Sequence, residues 1–114
     1  MKDFEGKIQY KEKEYKLVFN LNVMEAIQEE YETLEKWGDL TGASDKEPNA
    51  KAVIFGFAQM LNEGIEIANE ENGTNDKPLT LKQVGRMITE IGLVNATASL
   101  NETVIASTKN EEKN

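Results

Sequence analysis

In two short segments near the start of the chain, residues 7–10 and 15–19, apolar residues recur at every second position. Alternation at every second position is typical of a strand with one buried face, and the charged connector Lys11–Glu14 indicates a β-hairpin. A two-stranded hairpin alone is only marginally stable in water, so it must pack on a helix or pair with another copy. The apolar residues of the two segments are Ile8, Tyr10, Tyr15, Leu17 and Phe19.

The apolar residues that follow recur at helical spacing and predict one amphipathic helix ending at Trp37–Gly38. Either Asn20 or Asn22 can serve as its N-cap, and Asn22 would form a capping-box-like pair with Glu25. Glutamates cover the rest of the helix, and we interpret them as a solvated face rather than as a catalytic acid and base. The apolar face consists of Met24, Ile27, Tyr31 and Leu34.

A polar loop over residues 38–49 precedes a second predicted helix, Ala50–Ala68. The first half of this helix is apolar on nearly all sides, which predicts that it lies at the centre of the core. The polar segment 69–78 contains Gly73 and Pro78 and predicts a mobile loop. The main apolar stripe of the helix is Ile54, Phe57, Ala58, Leu61, Ile65 and Ala68.

A third helix is predicted to begin at Thr80, because Gln83 stands three residues later and completes a capping box. Gly85 and Gly92 are interpreted as close helix contacts or helix stops. A weaker helix over residues 94–107 is predicted to fray at its end, where β-branched residues accumulate. The predicted buried stripe of the third helix is Leu81, Val84, Ile88 and Ile91.

A chain of 114 residues is the usual size of one domain and can bury a core without disulfides. The predicted fold is a single, mainly helical α+β domain over residues 1–108. It consists of an N-terminal β-hairpin followed by three to four α-helices. Residues 109–114 are predicted to form a disordered C-terminal tail.

The net charge of −8 makes nucleic-acid binding an unfavourable interpretation, because that affinity comes largely from lysine and arginine. The chain has no cysteine and no histidine, which removes disulfides, the usual zinc sites and the common nucleophilic mechanisms. We therefore expect no enzyme activity, no cofactor and no metal. No apolar run is long enough for a membrane span, and no secretory h-region is present, so we expect a cytoplasmic protein.

Aromatic residues are the candidates for partner contacts, since aromatics dominate interface hot spots. Phe55 falls on the polar side of the second helix, where it is either a partner anchor or, more simply, covered by the hairpin or by the 38–49 loop. Trp37, at a helix end, is interpreted as a lid on the core rather than a ligand platform. The candidate contacts are Tyr15, Phe19, Tyr31, Trp37 and Phe55.

Three motifs stand in a familiar order: Tyr15, Lys16, Leu17 and Phe19 in the hairpin, Ile27, Glu29, Glu30 and Tyr31 in the acidic helix, and Leu79–Ile88 after a proline. This order resembles the tail assembly chaperones of long-tailed phages and prophages, particularly those of Gram-positive hosts. The resemblance is strongest over residues 7–37 and 79–91.

The resemblance implies a non-enzymatic protein that binds the tape measure protein, keeps its long helical segments soluble and helps recruit tail tube subunits. It also implies absence from the finished virion and, in many members, a longer product made by translational frameshifting. Pairing of hairpins between copies would build a homo-oligomer along the partner. The family has no catalytic residues to carry over to this chain.

Two other classes of function remain open. The first is another phage morphogenesis role, such as a head–tail joining protein or a minor tail component, which presence in purified virions would indicate. The second is a small acidic regulator that mimics DNA and binds a basic DNA-handling protein. Its acidic residues would then have to follow duplex-like spacing, and its binding would be sensitive to salt.

Overall fold

The computed structural model describes residues 4–43 and 47–112. Within these residues a two-stranded antiparallel hairpin is followed by five α-helices, which confirms the predicted mainly helical α+β fold. An irregular π-helical turn, Asp39–Ala43, occupies part of the predicted loop 38–49, and residues 44–46 of that loop lie outside the described residues. The elements are β1 (Phe4–Tyr10), β2 (Lys13–Phe19), α1 (Leu21–Tyr31), α2 (Leu34–Gly38), α3 (Ala50–Asn72), α4 (Leu81–Ile91) and α5 (Leu93–Glu112).

The hairpin turn is tighter than the sequence predicts. The predicted four-residue connector Lys11–Glu14 is wrong, because Lys13 already pairs with Tyr10 and only Lys11 and Glu12 form the turn. Both turn residues have left-handed backbones, with φ values of 50° and 64°. Two consecutive positive φ values match the twist of the flanking strands, so the strands can pair up to the turn.

Packing on helices within the same chain stabilises the hairpin. Leu17 and Phe19 of β2 are fully buried, and α3 lies so close to β2 that a Cβ atom on Gly64 would be 2.7 Å from the Lys16 carbonyl oxygen. On the side of α5, the Ser107 hydroxyl donates to the Phe19 carbonyl oxygen at 3.1 Å. Of the two ways to stabilise the hairpin, the structure uses packing on helices.

The first helix begins at the earlier of the two candidate caps. The Asn20 side-chain oxygen accepts a hydrogen bond from the Val23 amide at 3.3 Å, as an N-cap does. The amide groups of Asn20 and Asn22 both donate to the Glu63 carboxylate on α3, at 2.8 and 3.1 Å. Asn22 therefore ties the start of α1 to α3 instead of forming a capping-box-like pair.

The single helix predicted to end at Trp37–Gly38 is wrong, because the chain breaks after α1. Glu32 has a φ of 74°, which no α-helix accommodates, and Thr33 then caps α2 by accepting from the Lys36 amide at 3.0 Å. Threonine favours a helix start over a helix interior, since its hydroxyl competes for backbone donors. The chain changes direction at this break, and Trp37 of α2 is fully buried.

Helix α3 confirms the predicted central helix but extends beyond Ala68. It ends where Gly73 adopts a left-handed backbone with a φ of 66°. The segment that follows is hydrogen-bonded to α3: the Asn69 side chain donates to the Asp76 carbonyl oxygen and accepts from the Asp76 amide, each at 3.0 Å. Asn62 holds Leu79 in the same two-ended way. Two asparagines on one helix thus fix the connection to α4.

Helix α4 begins with the predicted capping box. The Thr80 hydroxyl accepts from the Gln83 amide at 3.1 Å, and the Gln83 side chain accepts from the Thr80 amide at 2.8 Å. Two amide groups that the first turn leaves without helical partners are satisfied in this way.

Removing the Thr80 hydroxyl is expected to weaken α4. Thr80→Ala should lower the free energy of unfolding by about 1 kcal/mol, because the Gln83 amide loses its acceptor. Thr80→Ser keeps the acceptor and should stay close to the original protein. Urea unfolding followed by circular dichroism measures both, and equal stabilities of the two variants would contradict the capping role.

Helix α5 is longer than the predicted segment 94–107, since it runs from Leu93 to Glu112. The hydroxyls of Thr103 and Thr108 donate to carbonyl oxygens four residues earlier, at 2.8 and 3.1 Å, so these β-branched residues keep their polar groups bonded inside the helix. The tail predicted at 109–114 overlaps the last residues of this helix, and residues 113 and 114 lie outside the described residues.

Candidate binding groove

An apolar groove runs along the surface between α3 and α4. Its larger part has a volume of about 470 Å³ and is lined by Lys51, Ile54, Phe55, Leu81, Lys82 and Gly85. An adjoining hollow of about 230 Å³ shares Ile54 and Gly85 with it and continues toward Leu93 at the start of α5. We call this continuous surface the α3–α4 groove.

The groove is open because α4 carries no side chain at its middle. A Cβ atom on Gly85 would make an ordinary contact, 3.6 Å from the Ile54 side chain, so the missing side chain leaves space above Ile54. Leu81 belongs to the predicted buried stripe of α4, but 56% of it is exposed, at the rim of the groove. The prediction of a buried Leu81 is therefore wrong, because its side chain lies at the open rim between α3 and α4 and not in the core.

Two lysines, Lys51 and Lys82, line the groove in a chain that is acidic overall. Residues 77–89 contain Lys77, Lys82 and Arg86 and no acidic residue. On the other rim, the Lys51 ammonium lies 3.9 Å from the Glu30 carboxylate, and both side chains are largely exposed. Exposed ion pairs of this kind contribute little, so Lys51 remains available to a partner.

Phe55 is the sequence-predicted contact that the structure places at the groove. It is half-buried and lines the larger part of the groove beside Ile54. The ring of Tyr31, from α1, packs edge-on against it, with ring centres 5.7 Å apart and an angle of 72°. This arrangement is a favourable one for two aromatic rings, and it holds Phe55 in place.

The other candidate contacts lie elsewhere. Phe19 and Trp37 are fully buried in the core, and the Trp37 indole nitrogen donates to the Ala52 carbonyl oxygen at 3.0 Å. Tyr15 is half-buried and lines a separate hollow beside the hairpin turn. Of the five candidates, only Phe55 lines the groove, with Tyr31 packed behind it.

Sequence reasoning missed Leu81, Lys82 and Gly85 as groove residues. The available signal was Gly85 itself, a residue of low helix propensity in the middle of a well-capped amphipathic helix. A glycine at such a place indicates either a close backbone contact or an omitted side chain, and only the neighbouring element distinguishes the two.

The Tyr31 hydroxyl is buried and has no hydrogen-bond partner among the described residues. Burial, and then the neighbouring Glu30 carboxylate, raises the pKa of Tyr31 above its usual value. Because the folded-state pKa is the higher one, ionisation of Tyr31 favours the unfolded state. The stability of the fold is therefore unaffected by this group below the unfolded-state pKa and falls as pH rises through the folded-state pKa.

Tyr31→Phe keeps the ring against Phe55 and removes only the hydroxyl. At neutral pH we expect an unchanged or slightly higher melting temperature, because a buried hydroxyl without a partner costs free energy. Above about pH 10 the variant should lose less stability than the original protein. Thermal melts across this pH range measure both effects, and a clearly lower melting temperature at neutral pH would show that the hydroxyl is bonded.

No three groups of the cysteine, histidine or carboxylate kind come together in the described ranges in a way that would hold a metal ion. Nor, within those ranges, is any helix long and apolar enough to cross a bilayer.

Comparison with family models, characterised proteins and solved structures finds no match to this chain. The α3–α4 groove and the motif order in the sequence are therefore the two observations from which a function is argued.

Proposed function

We propose that this protein is a non-enzymatic tail assembly chaperone that holds apolar helical segments of a tape measure protein in the α3–α4 groove. It works in the bacterial host cytoplasm, helps to recruit tail tube subunits and leaves before the virion is complete. The proposal rests on the motif order over residues 7–37 and 79–91 and, in the structure, on the groove.

The open apolar groove is the observation that carries the proposal. Residues 81–89 of α4 span about 12 Å at the rise of an α-helix, which is enough for two turns of a bound helix. Laying an apolar helix face into such a groove is a common mode of peptide recognition. Phe55, held by Tyr31, is the aromatic anchor at one end of the groove.

The charges around the groove specify the kind of helix that fits. Lys51 and Lys82 stand on opposite rims, so a helix with acidic residues on both sides of its apolar stripe would pair with both. Such pairs add specificity and association rate more than affinity. The overall charge of −8 keeps a chain coated with many copies soluble and limits aggregation.

Co-expression with the tape measure protein encoded nearby tests the proposal. Size-exclusion chromatography with light scattering should show a soluble complex that contains many copies of this chain per partner. The proposal fails if the tape measure protein aggregates equally with and without this chain while the chain elutes alone. Presence of the chain in purified virions would also contradict it and would favour a structural tail role.

A further inference from the structure

A second hollow lies on the opposite flank of α4 from the groove, beside the hairpin turn. It has a volume of about 210 Å³, and its lining includes Tyr10, Lys11, Tyr15, Gln83, Arg86 and Met87. The two sites share no lining residue, although Arg86 lies one helical turn from Lys82, which lines the groove. The two sites are therefore separate, and binding at one does not require the other.

The charge of this hollow is opposite to that of the protein. Lys11 and Arg86 line it, no acidic residue does, and neither cation makes an ion pair within the described residues. Two lysines lie over the tyrosine rings of the hollow. The Lys11 ammonium is 5.4 Å from the centre of the Tyr10 ring, and the ammonium of Lys13, which does not itself line the hollow, is 5.2 Å from the centre of the Tyr15 ring. Cations over aromatic faces are partly held in position.

The backbone of the turn supports a functional interpretation of Lys11. Lys11 and Glu12 both have positive φ values, 50° and 64°, where asparagine and glycine are the usual residues. Residues held in unfavourable backbone regions concentrate at binding sites, since the surrounding structure must maintain them. Here the turn presents a lysine at the mouth of a hollow whose other wall carries an arginine.

We propose that this hollow binds a carboxylate side chain from an acidic segment of a partner protein. The Arg86 guanidinium has the planar fork that pairs with a carboxylate, and Lys11 supplies a second positive charge. The tyrosine rings of the wall pack against the apolar part of the same side chain. A singly charged carboxylate suits the site better than a phosphate dianion, which the net charge of −8 repels more strongly.

An amide NMR titration of the full chain with three probes tests this assignment. The probes are a blocked tripeptide of glutamates, the matched tripeptide of glutamines, and inorganic phosphate. The glutamate peptide should shift the amide signals of Lys11, Gln83 and Arg86 and leave those of the α3–α4 groove unchanged. Equal shifts with the glutamine peptide, shifts with phosphate alone, or no shifts with any probe would overturn the proposal.

Two variants that each remove one positive charge distinguish specific binding in the hollow from non-specific electrostatic attraction to the surface. Arg86→Gln should lower the affinity for the glutamate peptide about tenfold, because a hydrogen-bonded charge is lost. Lys7→Gln removes the same charge from the opposite face of the hairpin and should change the affinity little. The proposal is wrong if the two variants weaken binding equally. Since the probes address only this hollow, their failure would leave the chaperone proposal to its own test.

Discussion

Trp37→Ala should lower the free energy of unfolding by about 3–5 kcal/mol, the range observed when a large buried aromatic side chain is removed. Trp37 is fully buried, and its indole nitrogen donates to the Ala52 carbonyl oxygen. A domain of this size has a total stability of about 5–15 kcal/mol, so the loss would be a large part of it.

Gly56 of α3 leaves room for the Trp37 indole. A Cβ atom there would overlap the ring carbon Cζ2 of Trp37. Gly56→Ala should therefore cost about 1–3 kcal/mol from overpacking, although alanine favours the helix. In the Trp37→Ala background the clash is absent, and Gly56→Ala should be neutral or stabilising by up to about 1 kcal/mol.

Urea unfolding followed by circular dichroism suits this double-mutant cycle, since Trp37 is the sole tryptophan and its fluorescence would be lost. The expected outcome is strong coupling between the two positions. If Gly56→Ala costs the same with and without the indole, the two residues do not pack as described.

Gly85→Leu is expected to abolish partner binding without harming the fold. Leucine is a better helix former than glycine, so the free energy of unfolding should stay the same or rise by up to about 1 kcal/mol. The new side chain would lie over Ile54 and fill the α3–α4 groove, which Gly85 leaves open. Affinity for the tape measure segment should fall at least about tenfold, as when an anchoring contact is lost.

Two control variants distinguish filling the groove from other effects. Gly85→Ala gains most of the same helix propensity but leaves most of the groove empty, so it should bind nearly as well as the original protein. Ala98→Leu places the same apolar side chain on the exposed surface of α5, away from the groove, and should not change binding. If Gly85→Leu binds normally in pull-down and calorimetric titration, the groove is not the binding site.

Local patterns predicted the parts of the fold that depend on neighbouring residues. The Thr80–Gln83 capping box and the burial of Leu17 and Phe19 follow from spacing within a few residues, and the structure confirms both. Val18, which the spacing places on the other face of the strand, is buried as well.

The break at Glu32 was missed, because Leu34 continues the helical spacing of Ile27 and Tyr31, so the apolar pattern runs on through a residue with a positive φ. Tertiary packing is not readable from local periodicity.

The residues of the α3–α4 groove also depend on tertiary packing that local spacing does not predict. Leu81 has the spacing of a core residue and is exposed, because the position of α3 relative to α4 decides which part of the stripe is covered. Phe55 was identified as a candidate contact from its place on the polar side of α3, and it does line the groove. Its neighbour Lys82 carried no signal, since a lysine on a helix surface is usually just solvated.

Site-specific photo-crosslinking within the co-expressed complex tests most directly whether the α3–α4 groove is the binding site. A photoreactive amino acid replaces Leu81 at the groove rim or, as a control, Leu21, which is 65% exposed at the start of α1 and does not line the groove. The account predicts crosslinks from position 81 to a helical tape measure segment with an apolar stripe between acidic residues. Equal or stronger crosslinking from position 21 would contradict it.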